Sequence, residues 1–295
     1  MKIAVTGTTG QVVTSLVERG AVAGHEVIAI GRPDLDLADP ASVVRALTVA
    51  APDVIVSAAA YTAVDKAESE SDLAFAVNGA GPGAVAQAAR ALGVPLIHIS
   101  TDYVFDGTLD RPYVESDPTG PTGVYGASKL AGERAVLDGH DNSAVLRVAW
   151  VYSPFGGNFV KTMLRLAGDR DELGVVGDQV GNPTSALALA DGILQVATNL
   201  VSDNSQKLRG IFHITAQGEG NWADFAQAIF TASAARGGPT ASVRPIDTAD
   251  YPTPATRPAN SRLDCALIAR VHGVTLPDWR TSLDEVMDRL QPAKT

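Results

Sequence analysis

The chain has 295 residues, 45% of them apolar and only 5% aromatic, enough for one large domain or two interleaved ones with a core of Ala, Val, Leu and Ile. A formal charge of −10 disfavours nucleic acid as a partner, since a phosphate backbone requires clustered Lys and Arg. Cys265 is the only cysteine, which excludes an internal disulfide and a thiolate cluster, and His25, His98, His140, His213 and His272 show no metal-ligand spacing, so no metal is expected.

KIAVTG reads as a first strand, and its early glycine makes MKIAVTG too short an apolar run for a signal peptide. Together with the lack of a run of about 18 apolar residues, this gives the expectation of a cytoplasmic protein with no membrane partner. QVVTSLVERGAVAG follows with Val13, Leu16 and Val17 at helical spacing, then HEVIAIG as a second strand. PDVIVSAAA, PLIHIST and SAVLRVAWVYS read as further strands, with helical segments near 40–50, 72–92 and 125–138 between them. Strands alternating with helices predict a parallel sheet with right-handed crossovers and helices on both faces. After about Trp150 the pattern loosens. NFVKTMLRLA and ALALADGILQVATNL read as helices, GIFHIT as one more strand, and WADFAQAIFTASAARGG as a helix capped by Asn221. YPTPATRPANSR, with three prolines, reads as an extended loop, and DWRTSLDEVMDRL as a closing helix capped by Asp278. The C-terminal half is expected to form a smaller lobe, some of whose elements return to the main sheet. With no exposed heptad and no metal site to hold a dimer, a monomer is the default.

Ligands of such sheets sit beyond the carboxyl ends of the strands. After the first strand, Gly7 and Gly10 lie three apart at a strand-to-helix turn, where backbone can approach a pyrophosphate and a helix N-terminus points amides at it. Val13 stands where a third fingerprint glycine would be, which predicts a helix set slightly farther from the strand. After the second strand, Gly31–Arg32 replaces the acidic residue that commonly holds a ribose 2′-hydroxyl; this leaves room and a cation for a 2′-phosphate and favours NADPH, with NADH still possible. Asp36 and Leu37 would flank the adenine. SAAAYTAVD supplies small residues, with Thr62 and Val64 reaching toward the nicotinamide end. STDYVFDG places the Ser100 and Thr101 hydroxyls at the sheet edge, and VYGASKL puts Tyr125 and Lys129 on one helical face. A free tyrosine, with pKa about 10, is a poor acid–base catalyst at neutral pH. A nearby ammonium would lower that pKa toward the useful range.

These blocks resemble the extended short-chain dehydrogenase/reductase superfamily and, within it, the dTDP-4-dehydrorhamnose reductases. GTTGQV (7–12), AAAYTAVDKAE (58–68), STDYVFDG (100–107) and YGASKLAGE (125–133) carry the resemblance. It continues through LRVAWVYS, NFVKTMLRLA, DQVGNPTS and YPTPATRPANSRLD, nearly the whole chain. The resemblance implies a Rossmann-like doubly wound α/β fold. Residues 1–150 would bind the dinucleotide, with about 184–216 returning to that sheet, while 151–183 and 217–295 form a sugar-nucleotide lobe. It places Gly10, Gln11 and Val12 at the cofactor pyrophosphate, Asp36 and Leu37 at adenosine, and Ala59, Ala60 and Thr62 along the cofactor's middle. Thr101, Tyr125 and Lys129 become a catalytic triad, tuned by Asp102, with Asn78 a helper on the preceding helix. Val64, Tyr103 and Trp150 would line the sugar pocket; Phe159, Lys161, Arg257, Asn260 and Arg262 would meet the nucleotide end, where an arginine pair suits a diphosphate. The implied reaction is reduction of the C4 ketone of dTDP-6-deoxy-L-lyxo-4-hexulose to dTDP-L-rhamnose. Two alternatives stand beside it. A sugar-nucleotide dehydratase or epimerase shares Tyr and Lys, but a dehydratase needs an acid where Tyr103 stands. A non-catalytic nucleotide-binding subunit, like the regulatory subunit of methionine adenosyltransferase, would not need the intact Thr101, Tyr125 and Lys129.

Overall fold

The structure, a computed structural model, describes residues 1–291; residues 292–295 of the expected lobe lie outside the described residues. Six strands form one sheet: β1 (Lys2–Thr6), β2 (Glu26–Ile30), β3 (Val54–Ser57), β4 (Leu96–Thr101), β5 (Ser143–Val148) and β10 (Gly210–His213). Their order is β2-β1-β3-β4-β5-β10, and every pairing is parallel. β3, β4 and β5 are buried at every residue, as a parallel sheet covered on both faces requires. On one face, α1 (Gln11–Val22), α8 (Ala186–Ser202) and α10 (Ala266–His272) enclose a core containing Leu16, Ile97, Leu146, Ile193 and Phe212. On the other, α2 (Pro40–Ala50), α5 (Gly81–Leu92) and α6 (Val124–Gly139) pack around Leu47, Ile55, Val85, Val136 and Val145. Each such side chain contributes ~1.5–3 kcal/mol by leaving water. The chain runs outward from β1 to β2 and returns on the other side to β3, so the crevice of this sheet opens at the tips of β1 and β3. There the Thr6 hydroxyl accepts from the N–H groups of both Ala58 and Ala59 at 3.0 Å, locking the two tips together.

A second core joins Met163, Phe225, Ile229, Trp279, Leu283 and Met287. The lobe around it comprises β6 (Val151–Tyr152), α7 (Phe159–Leu166), β7 (Glu172–Val176), β8 (Val180–Gly181), β9 (Thr184–Ser185), β11 (Gly220–Asn221), α9 (Trp222–Ala235), β12 (Ser242–Ile246) and α11 (Trp279–Leu290). Asn221 caps α9 in a capping box with Asp224, and Asp278 caps α11. Two short helices, α3 (Val64–Ala67) and α4 (Ser71–Phe75), carry the acidic run after β3.

The structure departs from the sequence reading in four places. SAVLRVAWVYS is not one strand: the chain leaves the sheet after Val148, and Trp150 takes a left-handed backbone (φ 49°). That geometry costs of order 1–3 kcal/mol in a non-glycine residue. It is offset in part by the Trp150 ring stacking on Trp222 at 3.6 Å, which adds ~0.5–1.5 kcal/mol beyond burial. The helix expected at 72–92 is α4 and α5 joined by a π turn at Ala76–Ala80. β7 and β12 pair in parallel although nothing in their mixed pattern marked them. Finally, Ile268, Val274 and Leu276, expected in the lobe, pack in the core of the main sheet.

Four histidines, His98, His140, His213 and His272, are buried in this framework. Burial holds His98 well below the ordinary imidazole range, and it brings His213 down to about 3 with help from the Arg147 charge. His272 is also lowered by burial. The unfolded chain takes up these protons near pH 6.5 while the folded chain does not, so stability is full above that pH and falls as pH drops. Each of these three lowered histidines removes up to about 1.4 kcal/mol per pH unit. Urea midpoints should therefore decline steadily from pH 6.5 to 4.5, with a shallower slope in His213→Asn; a flat profile would contradict the burial argument.

Candidate active site

Gly7 occupies the β1–α1 turn at φ 99°, and a Cβ there would stand 3.3 Å from both Ala59 and Val13. Val13 is buried under this turn. Gly31, at the tip of β2, packs so closely that a Cβ would lie 3.1 Å from Thr8 and 3.4 Å from Gly7. α1 begins at Gly10 without a side-chain cap, so its first amides are free for an anion. With the half-buried Ala58, Ala59 and Ala60 beside them, these glycines form a cradle fitted to the pyrophosphate of a dinucleotide. The Gln11 side chain turns away from it: its amide oxygen accepts from Ser153 at 2.8 Å and Asn158 at 3.0 Å, leaving the Gln11 and Val12 backbone to face a ligand. Arg32 is exposed and pairs with no carboxylate among the described residues. Asp36 accepts from the Ala38 amide within its own turn. The Leu37 side chain is committed to the core under Gly81, so only its backbone is left for an adenosine contact.

Thr101 ends β4, Asp102 follows in a 3-10 turn, and α6 brings Tyr125 and Lys129 to the same edge. The buried Asn78, in the π turn, fixes the arrangement from behind. It accepts from Tyr61 N–H at 2.7 Å and donates to the Tyr61 carbonyl and the Ser128 hydroxyl at 3.0 Å. This couples the loop after β3 to α6, and π turns often mark functional sites. The Tyr103 ring meets Tyr125 edge-on at 5.5 Å. Thr62 is exposed and Val64 half-buried on the loop side of this edge.

The electrostatics differ from the expectation that Lys129 would lower Tyr125. Lys129 is buried and turns its ammonium inward, donating to the Ile99 carbonyl at 2.7 Å with His98 Nε2 at 3.5 Å. Burial pulls it down to about 8 against the Glu133 carboxylate, which raises it. The Tyr125 phenol is pushed up to about 12 by burial and then by the Asp102 charge, while the Thr101 hydroxyl draws it back. It is thus a protonated donor at neutral pH. That state suits reduction, because a developing alkoxide is far more basic than a phenolate. Asp102 is itself pushed up to about 6 by burial against hydroxyl contacts from Ser261 and Thr101, and its Oδ2 has no partner among the described residues.

At the far end of the cleft, Trp150 stacks on Trp222, and Phe159 packs against the same ring at 4.7 Å. A Cβ on Gly181 would lie 2.5 Å from the Trp150 ring, so that glycine makes room for the stack. Lys161 is half-buried, 3.5 Å from the Pro154 carbonyl. Three of the expected nucleotide contacts are engaged elsewhere. Asn260 is buried and uses its full capacity, donating to the Leu109 and Arg111 carbonyls and accepting from Arg262 N–H and Nε; it ties loops together and has nothing left for a substrate. Arg262 is spread over Asn260, Glu219 and the Asp110 carbonyl. Arg257 pairs with Asp65 of α3 at 2.8 Å, so a diphosphate would have to compete with that carboxylate.

His98, Asp65, Ser128 and Trp222 escaped the sequence reading, because each is marked only by a partner distant in the chain. Two surface cavities of about 350 and 300 Å³ lie elsewhere, one beside His140 and Arg209 and the other beside Cys265, and neither reaches Tyr125. Topology and chemistry, not the size of a hollow, mark the crevice.

Residues 1–292 match the family model described as the RmlD substrate binding domain. The chain is 51% identical over 282 residues to a dTDP-4-dehydrorhamnose reductase of Sinorhizobium fredii, covering 96% of this chain and 95% of that one. It is 40% identical over 295 residues to the enzyme of that name from Escherichia coli, covering 98% of each. Among solved structures, a dTDP-4-dehydrorhamnose reductase of Clostridium acetobutylicum superposes with a TM-score of 0.92 at 38% identity, covering 99% of this chain and 100% of that one. The Bacillus anthracis protein of the same name, in complex with NADP, gives 0.89 at 33% identity, with 97% and 98% covered.

Proposed function

The chain belongs to the dTDP-4-dehydrorhamnose reductase family, and we propose that Thr101, Tyr125 and Lys129 carry the reduction in it. It is an NAD(P)H-dependent oxidoreductase of dTDP-rhamnose synthesis, reducing the C4 ketone of dTDP-6-deoxy-L-lyxo-4-hexulose to dTDP-L-rhamnose in the last step. The assignment of roles rests above all on the meeting of Tyr125 and Lys129 with Thr101 beside the glycine cradle, at the carboxyl edge of the sheet. NADPH bound in the cradle supplies the hydride.

Tyr125 donates its proton to the C4 oxygen as negative charge develops there, a positioned transfer worth ~10²–10⁴ in rate. The Thr101 hydroxyl orients that oxygen. Lys129 would hold a ribose hydroxyl of the cofactor once its ammonium leaves the Ile99 carbonyl, keeping positive charge near the developing alkoxide. Val64, Tyr103 and Trp150 enclose the sugar, and Arg257 is the cation for the substrate diphosphate once it leaves Asp65. Tyr103 stands where elimination would need a carboxyl group, which favours reduction over dehydration. Both the reductant and a sugar nucleotide are cytoplasmic metabolites, and we place the reaction in that compartment. The test is NADPH oxidation by the purified protein with the 4-keto sugar nucleotide. No turnover from folded protein that still binds NADPH would move the weight to a binding subunit.

Arg32 is assigned to the 2′-phosphate. A charge-assisted hydrogen bond contributes ~1.5–3 kcal/mol, so Arg32→Ala should raise KM for NADPH roughly 10- to 100-fold and leave KM for NADH nearly unchanged. Equal effects on both cofactors would remove Arg32 from that role.

A further inference from the structure

Tyr125, Lys129 and Glu133 lie at successive intervals of four on α6, a single stripe facing the sheet. The third member is as buried as the second, with Glu133 1% and Lys129 3% exposed. Glu133 accepts from Arg147 Nε at 2.9 Å and from Nη2 at 2.7 Å, a bidentate grip, and also from the Ser100 hydroxyl. Ser100 and Arg147 are register partners on β4 and β5, and Ser100 immediately precedes Thr101. One carboxylate thus fastens the catalytic helix to the two strands that present the reacting edge. Arg147 is 2% exposed, its Nη1 has no partner among the described residues, and its guanidinium sits 4.9 Å from the Phe105 ring. A buried ion pair of this kind is seldom the most stable way to fill a core, so its presence beside the reacting groups calls for another reason.

We propose that Glu133 is a positioning residue of the reduction: gripped by Arg147 and Ser100, it sets α6 against β4 and serves as the counter-charge of the buried Lys129 ammonium. The inference rests on the role given to Lys129 above. The other groups around Lys129 do not supply that charge. His98 on β4 is held neutral by burial, and with its Nε2 facing the ammonium, its Nδ1–H points to Ser57 at 3.2 Å. Tyr125, on the same helix, is a protonated phenol. Arg147 on β5 is a cation, and Asp102, after β4, acts on Tyr125 and Tyr103. Glu133 is the only charged group found to raise Lys129 among the described residues.

The experiment titrates Lys129 directly, by NMR of protein carrying 13Cε-labelled lysine, with Lys129→Met identifying the resonance. It is run on wild type, Glu133→Gln and the double variant Glu133→Gln/Arg147→Met, which removes the ion pair while keeping the volume filled. The alkaline limb of kcat is followed in parallel. The expected result is a Lys129 midpoint about one pH unit lower in both variants, with the alkaline limb of kcat displaced alike. A midpoint that stays put in the folded double variant overturns the inference, whatever the loss of rate, because a purely structural tie would weaken α6 without moving the titration. The resonance needs no substrate. A shifted midpoint in a protein without wild-type turnover would therefore sink the reduction reading and spare the counter-charge.

Discussion

Tyr125→Phe should lower kcat by ~10²–10⁴, equivalent to ~2.7–5.5 kcal/mol of lost transition-state stabilisation, while NADPH binding and thermal stability stay close to wild type. The substitution removes one hydroxyl from a half-buried ring and leaves its edge-on contact with Tyr103 in place. The effect should thus fall on the chemical step rather than on KM. The pH profile sharpens the expectation. With the phenol pushed up to about 12, the donor keeps its proton throughout the working range. A fall in activity with rising pH well below 12 then belongs to Lys129, which loses its proton around 8. Steady-state kinetics with NADPH and the 4-keto sugar nucleotide, beside NADPH titration by fluorescence, make the check. A variant within about tenfold of wild type would fall short of general acid catalysis and take Tyr125 out of the proton transfer.

Gly126→Ala is expected to be the most damaging single-methyl change near the site. The added Cβ would overlap the backbone carbonyl oxygen of Tyr103 and touch Pro121 at 3.0 Å. Neither is the free end of a flexible side chain, so the start of α6 must move. Overpacking costs ~1–3 kcal/mol and occasionally more, or roughly 2–10 °C in Tm for a chain of this size. A shift of about 1 Å in Tyr125, the adjoining residue, can cost ~10²-fold in rate. Gly157→Ala is the matched control, because a Cβ there meets nothing within 4 Å. Calorimetry and kcat on the two variants decide the matter; equal behaviour would mean that α6 is not held as closely as the structure requires.

The parallel sheet and its crevice were legible in the chain because their causes are local. Apolar runs such as VIVS and LIHIS alternate with helical segments, and Gly7 sits where a turn needs a positive φ. That Tyr125 and Lys129 share one helix four residues apart was legible for the same reason, being a matter of helical spacing. What escaped has long-range causes. Asn260 read as a substrate contact until its partners proved to be carbonyls at Leu109 and Arg111. Arg257 read as a contact for the nucleotide end, yet it pairs with Asp65 of α3, far away in the chain. The direction of the Lys129 side chain, toward the Ile99 carbonyl, depends on how deeply α6 sits on β4. No spacing rule contains that depth. β7 and β12 were invisible because two short, partly exposed strands far apart in sequence need each other to be recognised at all.

The stack of Trp150 on Trp222 also decides what light can report about this molecule. The protein has three tryptophans, and the third, Trp279, is fully buried among the lobe's own side chains. None lies within the six-stranded sheet. Intrinsic fluorescence is therefore a probe of the lobe and its seam, blind to the dinucleotide half, whereas far-ultraviolet dichroism sums over both. Two signals that overlay through denaturation would speak for one cooperative unit, and two that separate would resolve the cores as independent steps.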